Sequence, residues 1–270
     1  WDGPWLQMPP RNVVPKPYQK PHPPLWVACT QRETIRLAAT KGIGALSFGF
    51  VEPGEAEEWV GEYYDTIASD ACVPAGFAVN ANVACVLPFM CHDDEQEAID
   101  RGLDGAHFFG YSLGHFYGFG NHQPGVTDIH EQFLANRTAF GFDRETAAQV
   151  GVGLRARMKK EVNGVDEGIA SLRGAIGTPD QIRDLLLDYE AAGVDQVIFI
   201  SQAGHNRHEH ICESMELFAR EVMPEFAERD RAHVAAKEAR LADSVTAALT
   251  RRSGPRTVDP DYRIPPPSGA

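Results

Sequence analysis

The sequence contains no CxxC pair. Its five cysteines, Cys29, Cys72, Cys85, Cys91 and Cys212, are odd in number and irregularly spaced. That excludes a disulfide framework or a cysteine zinc site and reads as reduced thiols in a cytoplasmic protein. No apolar run approaches the roughly 20 residues of a membrane span. The N-terminus lacks the basic-then-apolar layout of a secretory signal. Cationic residues are scarce, 25 against 38 acidic ones for a net charge of -13. This argues against nucleic-acid binding, which needs cations to neutralise phosphates. There is no internal repeat. The Gly-x-Gly runs at 42–44 and 118–120 lack the rest of a dinucleotide fingerprint. His208 and His210, two apart, do not face each other on a helix. His205 and His208 have no evident third ligand, so no metal site is expected.

The 270 residues are enough for one large α/β domain or two small ones. Residues 1–24 carry eight prolines and form a proline-rich arm. Four nearly continuous apolar stretches, 25–29, 45–50, 82–89 and 196–201, read as strands of a parallel sheet. Helices are expected at 34–41, 55–69, 93–102 and 206–222. In the second, Trp59, Tyr63, Tyr64 and Ile67 share one face. Capping-box spacing marks Asp93/Gln96 and Asn206/Glu209. The firmest helix begins at Thr178 with Pro179 behind it and Gln181 closing the box, and ends at Gly193. Strands alternating with helices imply a parallel α/β sheet. Residues 106–165, opening on the aromatic stretch HFFGYSLGHFYGFGNHQPG, interrupt the rhythm as a helical insertion. Residues 227–250 predict an exposed helix and 251–270 a disordered tail. This terminal region shows no apolar pattern for docking and is expected to add little stability.

Three blocks, PKPYQKPHPPLWVACTQRETIRLAATKGIGAL, IGTPDQIRDLLLDYEAAGVDQVIFI and HICESMELFAREVMPEF, resemble in order and spacing the C-terminal part of the luciferase-like flavin-dependent monooxygenases. The resemblance implies an α/β fold of the (β/α)8 TIM-barrel family. Residues 25–226 would be its C-terminal half-barrel, strands five to eight, with the N-terminal half absent. It also implies reduced FMN supplied by a separate flavin reductase, oxygen, and a small organic substrate. The alternatives are a deazaflavin-dependent hydride-transfer enzyme of the same family and a non-catalytic flavin- or partner-binding fragment. Exposed strand edges predict a homo-oligomer.

In such a barrel, ligands bind at the C-terminal ends of the strands. There a helix N-terminus offers free donors and a positive dipole end to an anion. The resemblance places the flavin phosphate at the first strand–helix junction, on Cys29, Thr30, Gln31 and Thr34. The plainer reading is that Thr30 caps a helix. Arg32 and Arg36 add charge to this site or form a solvated face. His92, just past the third strand with Cys91, is the candidate acid or base, or else a polar link before a helix cap. Phe108, Phe109, Tyr111, Phe116, Tyr117 and Phe119 wall an apolar pocket or form a small core under a loop.

Overall fold

The computed structural model describes residues 3–47, 52–140, 142, 144, 173–254 and 258–263. Five strands form one parallel sheet: β1 (Trp26–Cys29), β2 (Gly44–Ser47), β3 (Val83–Cys91), β4 (Ala175–Gly177) and β5 (Gln196–Ile200). β3 is the hub. It pairs with β2 along one edge, through Val83–Cys85. It also pairs with β5 through Ala84–Pro88 and with β4 through Phe89–Cys91. All nine of its residues are buried. β1 pairs with β2 alone. The long strands therefore run in the order β1-β2-β3-β5, with β4 extending the top of β3.

The helices are α1 (Arg32–Thr40), α2 (Pro53–Ala68), α3 (Glu95–Gly114), α4 (Ile129–Asn136), α5 (Pro179–Ala191), α6 (His208–Glu221) and α7 (Met223–Arg251), with a π-helical turn at His115–Phe119 between α3 and α4. One sheet face is packed. Cys29, Ala45 and Val83 pack with Ile35 and Ala38 of α1 and Tyr63, Tyr64 and Ile67 of α2. Cys85, Leu87, Phe89 and Cys91 pack with Ile182, Leu185 and Tyr189 of α5 and Leu217 of α6. Phe89 stacks on Phe199 at 4.3 Å, and Phe218 meets both edge-on. The opposite face is covered only in part among the described residues. Ile99, Leu103 and Ala106 of α3 cover Met90. Trp26 and Ile198, at the two sheet margins, stay 37% and 42% exposed.

The helix starting at Thr178 forms as the sequence predicts. Thr178 Oγ1 accepts from Gln181 N–H, Gln181 Oε1 accepts from Thr178 N–H, and Gly193 follows at φ +82°. Elsewhere local signals mislead. α3 is capped by Asp94, which accepts from Glu97 N–H, and not by Asp93. It also runs to Gly114, absorbing the first part of the expected insertion. Its glycines read as breakers but are there for close packing: a Cβ on Gly102 would meet Met90 at 2.5 Å. α6 starts at His208 without a side-chain cap, while Asn206 donates to Ser201 O instead. The three-residue β4 is too short to show a period. The expected strand end at 48–50, most of the insertion after 140 and the last seven residues lie outside the described residues.

The C-terminal helix forms and is mostly exposed, as the sequence predicts, but it also docks, which the sequence reading did not expect. α7 is not a solvated appendage: Leu241 and Ala248 are 5% and 0% exposed, against α2 and the start of β3. The apolar positions are Leu241, Val245 and Ala248, spaced four and three apart on one stripe. Alanine and charge dilute that stripe below notice in the sequence. Polar bonds fasten both ends. Lys237 Nζ donates to Asp195 Oδ1 and Asn82 Oδ1, each at 2.6 Å. Asp195 Oδ2 in turn accepts from Tyr64 OH at 2.6 Å and Val83 N–H at 2.7 Å. Arg251 donates to Cys72 O and Ser69 O. One carboxylate thus joins β5, β3, α2 and α7 beneath the sheet.

Two measurements follow. Removing one partner of a largely buried ion pair costs about 3 kcal/mol, so Lys237→Met should lower the melting temperature by roughly 6–12 °C. An unchanged midpoint would mean that α7 is not integral. Burial, with Arg137 adding to it, pushes the His107 imidazole down to about 4. Below pH ~6.5 the unfolded chain takes up a proton there that the native chain refuses. Stability should therefore fall on acidification from pH 6.5 to 4, by up to about 3 kcal/mol from this residue. In His107→Gln that share of the slope should vanish, as read by urea melts at pH 7 and pH 5.

Candidate functional site

The C-terminal ends of the strands form one rim. At the first junction, Cys29 closes β1, Thr30 follows, and Gln31 is the N-cap of α1. The Gln31 side chain makes no capping bond; its carbonyl accepts from Thr34 N–H at 3.1 Å and Ile35 N–H at 3.4 Å. Thr30 is therefore not the cap. Thr30 and Gln31 are exposed and Thr34 half-buried. Small hydroxyl residues and the unfilled first turn of a nine-residue helix thus face the rim together.

Cys29 contributes differently. Its thiol lies in the sheet–helix core, donates to Val27 O at 3.4 Å and is pushed up to about 11 by burial. What it can offer the rim is backbone. Arg32 and Arg36 are committed elsewhere. Arg32 pairs with Glu58 and Glu62 at 2.8 and 2.7 Å, and Arg36 donates to Glu62 at 2.6 Å. Glu33 adds a negative charge to the first turn. An anion here would be held by neutral donors: hydroxyls, the Gln31 amide and free N–H groups.

His92 stands apart from this junction. The register sets Cys29 level with Ser47 and Cys85, so His92 lies six residues further along β3 than Thr30's level, roughly 20 Å at strand rise. Its N–H donates to Gly177 O at 3.2 Å and its Nδ1 accepts from Asp94 N–H at 3.0 Å. It links the ends of β3 and β4 ahead of the Asp94 cap. Next to it, Glu95 binds the buried Arg173 and accepts from Gln181 at 2.9 Å, which holds its carboxyl below the usual range. Cys91, expected at the rim beside His92, is buried in the helix-side core, and burial pushes its thiol up to about 12.

The aromatic stretch divides. Tyr111 is 2% exposed and packs with Phe133 and Phe142, with Phe108 and Phe140 against them. This is a small core beneath the α3–α4 connection. Phe116 and Tyr117 project outward at 59% and 86% exposure, Phe109 is half-buried, and the Phe119 side chain lies outside the described part. Sequence reading passed over a histidine contact. His205, in the loop after β5, stacks on His130 of α4 with ring centroids 4.0 Å apart. The same loop touches α3 where Gly105 leaves room, since a Cβ there would meet Asn206 Oδ1 at 2.5 Å. His208 Nε2 meets Cys212 Sγ at 3.5 Å. Among the described residues no three metal-ligating side chains converge, and no helix is long and apolar enough to cross a membrane.

Comparison with known proteins gives this rim its context. The oxygenase component of a flavin-dependent trigonelline monooxygenase from Acinetobacter baylyi is 25% identical over 238 residues, covering 86% of this chain. The chain spans only 57% of that relative's length. The crystal structure of monooxygenase RslO1 from Streptomyces bottropensis superposes with a TM-score of 0.52 at 20% identity, covering 84% of this chain and 55% of the other. That likeness concerns the fold. The sequence profile described as luciferase-like monooxygenase matches residues 1–196. With well over half of its length matched, on a parallel α/β sheet of the same kind, the chain belongs to the luciferase-like monooxygenase family.

Proposed function

We propose that this chain is the C-terminal half-barrel of a flavin-dependent monooxygenase that binds the phosphate of reduced FMN at the β1–α1 junction. The observation that carries the proposal is the pair of threonines there. Thr30 and Thr34 make no side-chain hydrogen bond among the described residues, and the capping position between them is unfilled by any side chain. Family membership supports the flavin. The relative described as an oxygenase component supports a separate reductase as partner. The open margin of the sheet supports the half-barrel.

Bound reduced flavin would supply the electrons with which dioxygen oxidises an organic substrate. The chain's own part is binding and orientation. Thr34 Oγ1, Thr30 Oγ1 and the first N–H groups of α1 donate to phosphate oxygens. The neutrality of this donor set leaves the anion's charge to the helix end, since both nearby arginines are spent on α2. The imidazole of His92, anchored through Nδ1, would meet an elongated ligand only at its far end. There Nε2 can hold or release a proton.

Fluorescence titration tests the junction. Thr34→Ala should weaken FMN binding about tenfold or more, the loss of one hydrogen bond to a charged group. Riboflavin, which has no phosphate, should bind both versions alike. Equal weakening of both ligands would remove the phosphate assignment. His92→Gln should leave the ratio of FMN to riboflavin affinity within about twofold, because it lies roughly 20 Å from the junction proposed for the phosphate. Oxygen uptake with reduced FMN, in the presence of the complementary half, separates the oxygenase from a deazaflavin hydride-transfer enzyme.

A further inference from the structure

His130 and His205 stand outside the proposed flavin contacts, and their rings join two elements far apart in the chain. His205 lies in the loop 201–207, which leaves β5 at the rim, and His130 lies in the first turn of α4. The loop is seated on α3: a Cβ on Gly204, at φ +58°, would fall 3.3 Å from Gly105 Cα and 3.5 Å from Phe108. Asn206 Nδ2 donates to Ser201 O at 2.9 Å and ties the loop together. α4 is seated on the same helix through Ile129 and Phe133, which pack with Phe108 and Tyr111. The two imidazoles bridge loop and helix, tilted by 33° with centroids 4.0 Å apart, too close for water between them.

The surroundings of the pair are aromatic. The Phe108 and Phe133 rings stand 5.1 and 6.1 Å from the His130 ring. The charged and titratable groups of the neighbouring elements are engaged elsewhere or turned away. On α3, Asp104 is paired with Arg137 and Arg144, and His107 is buried against Phe142. On α4, Asp128 Oδ1 accepts from Glu131 N–H, and Glu131, next to His130 in the chain, does not share its face. After the loop, Arg207 lies 3.7 Å from Glu209, and His208 meets Cys212. Neither His130 nor His205 forms a hydrogen bond or ion pair among the described residues.

The contact is therefore one between uncharged rings. Acidification through the ordinary imidazole range, about pH 6.5, adds protons with no paired carboxylate to offset them. A single imidazolium can rest on the neighbouring π face. Two cannot, because unit charges about 4 Å apart repel. The favourable contact is present above this range and lost as the pH falls below it.

We infer that the His130–His205 pair is a pH-sensitive latch. At neutral pH it holds α4 to the rim loop after β5, and double protonation parts them. The loop then loses its outer support at the end of the sheet where barrels take ligands. The latch is independent of the flavin and half-barrel readings.

Hydrogen exchange read by mass spectrometry at pH 7.5 and pH 5.5, corrected for the intrinsic pH dependence of exchange, tests it in the full chain. At eight residues α4 is too short to keep its hydrogen bonds unless packed, so its amides report whether it is seated. They should exchange at least about fivefold faster at the lower pH, the factor that two unit charges at this distance contribute even in bulk water. His130→Phe and His205→Phe keep a ring stack without its charge, and in each the acid response of α4 should shrink below about twofold. The second variant, at an exposed residue, keeps the test decisive if the first fails to fold. β3 responds to acid through His107 and global unfolding, so it should behave alike in all three proteins and serves as the internal reference. An α4 equally protected at both pH values overturns the latch, and so does an acid response that either folded variant retains in full.

Discussion

A parallel sheet needs cover on both faces, and in this chain helices supply it fully on one. Everything else is arranged around that asymmetry. β3 is buried along its whole length because it has neighbours on both edges and helices above. Toward β1 and β5 the sheet loses cover, and Trp26 and Ile198 emerge. The packed face is held by aliphatic and aromatic contacts with α1, α2, α5 and α6. The lower end is held by one carboxylate, Asp195, which gathers Tyr64, Val83 and Lys237 from three other elements. The rim is left as the one end free for chemistry, as in barrels generally.

The division of labour between the two ends has a chemical consequence. Below, charges are paired and partly withdrawn from water, which suits anchoring. Above, the first junction presents neutral donors only, because α2 takes both arginines of α1 through Glu58 and Glu62. A site of this kind discriminates by hydrogen-bond geometry more than by long-range attraction, in keeping with a chain of net charge -13. The same geometry separates Thr30 from His92. A β1 that stops level with Cys85 cannot share a small ligand with a residue at the tip of β3.

Much of the fold was legible because the signals were local and redundant. Thr178, Pro179, Gln181 and Gly193 each mark the same helix, and apolar runs mark four of the five strands. What was illegible depended on contacts between distant residues. The glycines of α3 look like breakers until Met90 and Asn206 are seen against them. The stripe on α7 is three residues long and gains meaning only from Tyr63, Ile67 and the Asp195 clamp. Of the candidate site, the junction threonines were readable from position alone. The withdrawal of the Cys29 and Cys91 thiols was not, since which side of a strand faces helices is settled by the whole sheet.

The account turns on the sheet being fully covered on one face and covered only over its centre on the other, and amide hydrogen exchange reports this strand by strand. In dilute solution, β3 amides should exchange slowest, those of β2 next, and the outward amides of β1 and β5 fastest among the strands. Uniform protection of β1, β3 and β5 would contradict the account, because it would mean that the chain closes its own sheet.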